Sequence, residues 1–277
     1  MSLQTTEAVV LKTFNWSESS RTVVFFSRDF GRLALTDKGG RRINSRRGRL
    51  IPFSRLEITF YKSEKESAGY ISDISLIESF SLEGDGALGR LAYTSAACEL
   101  LYHLLSDGQV QTDLYRYFVT LLTLLDKVDR QSLPAVFLTF FIHLLSYLGY
   151  HPSLSACPGC GRGSEELASE GTVLFSPKRG GGICSACQRA GEYYIPIPKS
   201  GYELLVQLQR APLTQAVRLS TGYHETTLLL EALIKFVGYQ TDLKAKLKSL
   251  EFLEKLKDSN STLLEKDSTD HGQQEKN

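Results

Sequence analysis

No stretch of the 277-residue sequence combines the length and apolarity needed to cross a membrane. The greasiest run, residues 133–150, is interrupted by Pro134, Thr139, His143 and Ser146. The opening MSLQTTEAVVLK has no basic segment followed by an apolar run and a small-residue cleavage site, so a cytoplasmic protein with no membrane partner is expected. Signatures of catalysis are missing as well. There is no Walker-type phosphate loop, no GxGxxG, no GxSxG and no HExxH. The five histidines (His103, His143, His151, His224 and His271) lack metal-ligand spacing, and no acidic cluster suits a two-metal nuclease. A function without bond chemistry is therefore expected. Internal repeats are also lacking.

What is present describes a folded chain longer than one typical domain. It is 42% hydrophobic and 23% charged, enough apolar material for a sizeable core. The net charge of +1 conceals segregation. Residues 1–80 carry 13 basic against 9 acidic groups, residues 81–150 carry 4 against 7, residues 151–257 carry 13 against 10, and the last twenty carry 2 against 5. Local fields, rather than the overall balance, must then select partners.

Residues 1–80 read as five strands, at 6–15, 21–28, 32–37, 56–62 and 68–78, rich in Val, Thr, Ile and Phe and separated by turn signals. Such a pattern suggests a small barrel or sandwich. From Leu88 the apolar period becomes helical, predicting helices over 88–105, 113–128 (with Asp113 as N-cap) and 133–148. Residues 151–199 are Gly-, Pro- and Cys-bearing. Helical periodicity resumes at 200–210, 225–239 and 241–257, so the cysteine segment reads as an insertion in a helical domain spanning 81–257. The polar tail 258–277 reads as disordered.

Four of the five cysteines are paired: Cys157-Pro-Gly-Cys160 and Cys184-Ser-Ala-Cys187, with 23 residues between the pairs. Two residues between thiols let a tight turn aim both at one point, and two such turns supply a tetrahedral thiolate site. A redox C-x-x-C would need a βαβ unit, which is not visible. A structural zinc, one per chain, is expected, with iron–sulfur as the lesser alternative. Cys98, mid-helix among Ala and Leu, reads as a small buried hydrophobe.

Residues 38–55 contain seven positive charges in eighteen positions and no acid. Arginine forks match phosphate oxygens, and the glycines Gly39, Gly40 and Gly48 leave the backbone adaptable. Lys38, Arg41, Arg42, Arg46, Arg47, Arg49 and Arg55, with Arg28 and Arg32 on the preceding strands, are the candidate nucleic-acid contacts. The competing reading is a solvated loop. Phe14, Trp16, Phe25, Phe26, Phe30, Phe53, Phe60, Tyr61 and Tyr70 lie nearby in sequence. Most belong to a core, and of the adjacent pair Phe25 and Phe26 only one can face a ligand. Trp16 is expected to be the best stacking candidate or a cap on the barrel end. Two rival functions are a zinc-ribbon RNA-binding protein and an enzyme built on the cysteine cluster.

The segments Ala8-Val-Val-Leu-Lys12, Trp16-Ser-Glu-Ser-Ser-Arg21, Phe30-Gly-Arg32, Lys38-Gly-Gly-Arg41-Arg42, Leu50-Ile-Pro52-Phe53, Glu99-Leu-Leu101 and Leu144-Leu-Ser-Tyr-Leu-Gly-Tyr150, followed by the cysteine pairs, occur in the order seen in one family. Over residues 5–257 the chain resembles the RecO recombination mediators of bacterial DNA repair. The resemblance implies an α+β, multidomain protein with an N-terminal five-stranded OB-fold β-barrel and an α-helical domain carrying a four-cysteine zinc ribbon. It also implies binding of single- and double-stranded DNA, strand annealing, and work with RecR to load RecA onto strands coated by single-strand-binding protein, which would make the protein nucleoid-associated. Lys248-Ser-Leu250 departs from the family's frequent Lys-Ser-Arg, so no role of that arginine carries over. The acidic tail of single-strand-binding protein would want an apolar pocket rimmed by Lys or Arg; helix 133–148 with Arg116, Lys127 and Arg130 offers one, although helix packing explains the same apolar residues more cheaply.

Overall fold

The computed structural model describes residues 2–15, 17–40, 50, 53–62, 69–167, 171–219, 221–241, 247–249 and 251–252. Strand β1 (Ser2–Asn15) is long enough to pair along one half with β4 (Ser54–Lys62) and along the other with β2 (Arg21–Ser27). A bulge between Val10 and Lys12 bends it between the two partners. β3 (Gly31–Asp37) pairs with β2, and β5 (Gly69–Ser79) runs antiparallel to β4 and parallel to β3, closing a barrel in the order β1-β2-β3-β5-β4. This is the five-stranded OB-fold. A Cβ on Gly69, beside the β3–β5 closure, would stand 2.5 Å from the Tyr61 carbonyl oxygen, so the closure needs glycine there.

Period-two alternation decides the barrel's two faces. Ala8, Val10, Val23, Phe25, Leu33, Leu35, Leu56, Ile58 and Phe60 fill its interior. Val9 and Phe26, one residue out of phase, face the helices instead. Phe26 meets Tyr115 edge-on at 5.6 Å and Phe118 at 6.3 Å.

The helices are α1 (Ala87–Leu104), α2 (Thr112–Lys127) and α3 (Leu133–Tyr147), then the single-turn α4 (Ser164–Leu167), α5 (Lys199–Arg210) and α6 (Tyr223–Gln240). The N-cap of α2 is Gln111 rather than Asp113. Asp113 sits inside the first turn, where its carboxylate suits the helix dipole and lies 3.6 Å from Arg116. Beyond α6, the expected helix over 241–257 survives in part: Lys248, Ser249, Glu251 and Phe252 are helical, and 242–246, 250 and 253–257 lie outside the described residues. So does the tail 258–277.

A three-stranded sheet carries the cysteine segment, with β6 (Thr172–Ser176) between β7 (Gly181–Ile183) and β8 (Ile195–Pro198). Its strands are short and partly glycine or proline, so only β6 is legible as a strand in the sequence. The sheet does not hang off the helices. Val173, Phe175, Ile183, Ile195 and Ile197 share one core with Tyr202, Leu205, Leu229 and Phe236. The Tyr202 hydroxyl donates to the Leu154 carbonyl at 2.9 Å and accepts from the Gly182 N–H at 3.1 Å, pinning the ribbon to α5.

Candidate nucleic-acid interface and metal centre

Two turns bring Cys157, Cys160, Cys184 and Cys187 together, with their four sulfurs within 4.8 Å of one another. The Cys157 N–H donates to the Arg162 carbonyl and Gly161 N–H returns to the Cys157 carbonyl, both at 2.8 Å, closing the first knuckle. Gly161 has φ +76°, which suits glycine. In the second knuckle a 3-10 turn over Ser185–Cys187 places the Cys187 N–H on the Cys184 carbonyl at 2.9 Å. Gly159 lies against the opposite knuckle, where a Cβ would stand 2.9 Å from the Cys187 sulfur. A tetrahedron of thiolates around zinc has edges of ~3.8 Å, given a metal–sulfur bond of about 2.3 Å. The Cys160–Cys184 sulfur separation is 3.5 Å. The four residues therefore fit a metal ion. Burial raises the Cys157 pKa, but backbone N–H groups of Cys184, Gly159 and Cys160 outweigh it and lower that thiol, whereas hydrogen bonds with the Cys184 and Cys160 sulfurs raise that of Cys187. Cys98 is 2% exposed and burial pushes its pKa up to about 12, as a small core residue requires.

The candidate DNA contacts divide into three groups. Arg28 and Arg55 converge on one carboxylate, that of Glu7: Arg28 Nη1 and Arg55 Nε each donate to it at 2.9 Å. Arg28 also pairs with Asp29, whose pKa is lowered first by that bond and then by the Thr6 hydroxyl at 2.7 Å. Arg32 ties the barrel to the helices, its Nε donating to Asp107 at 2.6 Å and its Nη1 to the Tyr102 carbonyl at 2.5 Å. These three guanidiniums have partners within the chain, which a count of charges along the sequence does not reveal. Lys38 lies 3.8 Å over the Tyr70 ring, at the start of the basic segment. Arg41, Arg42, Arg46, Arg47 and Arg49 lie outside the described residues.

Of the aromatics, neither Phe25 nor Phe26 faces a ligand: the first fills the barrel and the second the barrel–helix junction. Phe60 is also fully buried, with Phe30 edge-on to it at 5.4 Å. Trp16 lies outside the described residues. Phe14, Tyr61 and the half-buried Phe53 and Tyr70 keep exposed surface. Helix packing accounts for the apolar residues of α3. Residues all round α3 are buried against α1, α2, α5 and α6, and His143 is a core group linking Tyr117 OH (2.7 Å) to the Gln209 carbonyl (3.0 Å). Sequence reading passed over Lys12 and Tyr102, distant in sequence but in contact, with the ammonium 4.4 Å from the ring centroid.

A closed OB barrel docked on helices that hold a four-thiol ribbon places the chain among OB-fold proteins with a helical domain and a four-cysteine module that could hold a metal ion. Residues 1–80 match the family model described as Recombination protein O N terminal, and residues 86–251 the one described as Recombination protein O C terminal. A DNA repair protein RecO from Symbiobacterium thermophilum is 30% identical over 259 residues, spanning 93% of this chain and 99% of the relative. Proteins of the same name from Caldanaerobacter subterraneus (28%, 91% and 98%) and Pelotomaculum thermopropionicum (26%, 92% and 95%) are similar over comparable spans. The chain belongs to the RecO family of DNA repair proteins.

Proposed function

We propose that this protein is a non-enzymatic recombination mediator. It binds single- and double-stranded DNA, anneals complementary strands, and with RecR helps load RecA onto single strands coated by single-strand-binding protein in the cytoplasmic nucleoid. The observation that carries the reading is the acid-free basic segment 38–55, which follows β3 in sequence and ends on the first residues of β4 in an OB barrel. Annealing breaks no bond. It needs positive charge to lower the repulsion between two strands, contacts that leave base edges free, and release once the duplex forms. An arginine-rich segment carried by a closed barrel meets the first two needs. The Glu7 pairing of Arg28 and Arg55 argues that these two hold the base of the segment, so that Arg41, Arg42, Arg46, Arg47 and Arg49 carry most phosphate contact.

We infer that the metal is zinc. Four thiolates in tetrahedral reach suit zinc or iron–sulfur, and a fully thiolate site leaves no coordination position for substrate. Its role is to hold the ribbon.

The test is strand annealing and DNA binding by purified protein across a salt series. Arg41→Ala/Arg42→Ala and Arg46→Ala/Arg47→Ala should each slow annealing, and should make log affinity against log salt shallower by roughly one to two units. Unchanged annealing and salt slope in both variants would remove segment 38–55 from the DNA surface.

A further inference from the structure

Glu7, midway along β1, closes a charge cluster on the barrel surface. Its two carboxylate oxygens are divided between two arginines. Arg28 Nη1 donates to Oε1 at 2.9 Å, and Arg55 donates to Oε2 through Nε at 2.9 Å and again through Nη2. The Arg28 N–H also donates to the Glu7 carbonyl at 2.9 Å, which holds the two residues side by side. Further acid is brought to the same arginines. Asp29 pairs with Arg28 at 3.1 Å and is itself held by the Thr6 hydroxyl, and Glu78 lies 3.9 Å from Arg55. Glu57 stands opposite Glu7 in the β1–β4 register.

Two guanidiniums thus meet three carboxylates, a third of the nine acidic groups in residues 1–80. Fold stability does not call for so much acid. The Arg28, Arg55 and Glu7 side chains keep 40%, 30% and 21% of their surface exposed, and ion pairs in contact with water add little to folding. What the cluster alters is the field that a polyanion meets. Arg55 is the last residue of the acid-free segment, and without Glu7 it and Arg28 would extend that segment's positive charge. With Glu7 in place both forks are filled by a carboxylate, which a phosphate must displace in order to bind.

We propose that Arg28 and Arg55 form a latent phosphate site that Glu7 keeps closed, so that Glu7 sets an upper limit on affinity for DNA. The proposal rests on the DNA-binding reading above and deepens it by naming the residue that restrains binding. A carboxylate fixed on the neighbouring strand competes with any incoming phosphate at high local concentration. Each phosphate contact withheld in this way weakens the grip on the backbone and speeds dissociation. Glu7 therefore acts through Arg28 and Arg55 and touches no DNA itself.

The experiment measures binding of a fluorescent oligothymidine to the full-length protein across a salt series. The variants are Glu7→Gln and Glu7→Thr, the second keeping strand propensity, with melting temperature as the control for folding. Both should bind roughly tenfold more tightly at low salt and make log affinity against log salt steeper by about one to two units, as two recovered phosphate contacts require. The gain should vanish when Glu7→Gln is added to Arg28→Gln/Arg55→Gln, because no fork is left to open. Glu57→Gln removes the exposed carboxylate opposite Glu7 but opens no fork, and should change affinity by at most about twofold. Unchanged affinity and slope in the folded Glu7 variants, a gain that persists without the two arginines, an equal gain from Glu57→Gln, or loss of the fold in both Glu7 variants would overturn the latent site and leave the DNA-binding reading standing. A parent protein that binds no DNA would overturn both.

Discussion

Arg90 shows what one buried charge does for this fold. It is 7% exposed on α1, without a carboxylate partner among the described residues. Its guanidinium donates to the carbonyls of Leu125 and Val128 at 2.5 and 2.6 Å, the last turn and cap of α2. Those carbonyls have no partner within their own helix, and a cation there suits the dipole. Arg90→Met should cost roughly 3 kcal/mol of stability, since it leaves buried carbonyls unsatisfied, with DNA contacts untouched. A melting temperature equal to the parent's would refute this. The cysteines also differ by residue. With metal bound, a thiol reagent at neutral pH should find almost no reactive sulfur. Chelation should make the cluster thiols open to the reagent, the exposed Cys160 first, and Cys98, with its pKa pushed up to about 12, should react only on unfolding. Fast labelling of a fifth thiol in folded protein would contradict the buried reading.

Elements owe their places to different signals. β1 and β2 alternate so strictly that adjacent residues serve different cores. α3 carries few polar residues because most of its surface packs against α1, α2, α5 and α6. The ribbon depends less on apolar pattern than on a few polar ties. Glu192 accepts from the Ser176 hydroxyl at 2.5 Å and from Arg179 Nε at 2.9 Å, and Arg179 Nη2 donates to the Tyr194 hydroxyl at 3.0 Å. The Ser176 bond, and then Arg179, hold the Glu192 carboxyl below its ordinary value of 4.5 despite opposition from desolvation. A depressed carboxylate pKa stabilises the fold above the ordinary value, and that contribution disappears as pH falls through the depressed one. Glu192→Gln should therefore lower the melting temperature at neutral pH, with the gap to the parent closing in acid below 4.5. A gap that stays constant from neutral to acid pH would remove the carboxylate from the ribbon's stability.

At the scale of the whole molecule, the barrel and the helices are not independent. Val9 and Phe26 of the barrel lie in the same core as Ala97, Leu101, Tyr115 and Phe118. Gly31, φ +63°, abuts the other side of the junction, where a Cβ would stand 2.0 Å from the Gln109 carbonyl oxygen. The ribbon in turn shares the helical core. Calorimetry of the metal-loaded protein should therefore show one cooperative transition, and chelation should lower that transition as a whole rather than melt the ribbon alone. Two resolved transitions, with the barrel unaffected by chelation, would show that the shared core does not couple the parts.

The strands of the barrel, the three central helices and the thiol cluster were legible because each depends on neighbours in sequence: a period of two, a period near four, and two-residue spacings between cysteines. Strand and helix ends shifted by a few residues, and β7 and β8 escaped notice because Gly181, Gly182, Pro196 and Pro198 carry little strand propensity. What charged and aromatic groups do was decided by tertiary structure. Glu7 meets arginines 21 and 48 residues away, and Tyr102 meets Lys12 across the domain junction. A charge run read along the chain reports how many cations exist. Whether a cation is available to a phosphate depends on which carboxylates the fold brings within hydrogen-bond reach, and pairing between distant segments leaves no periodic mark in the sequence.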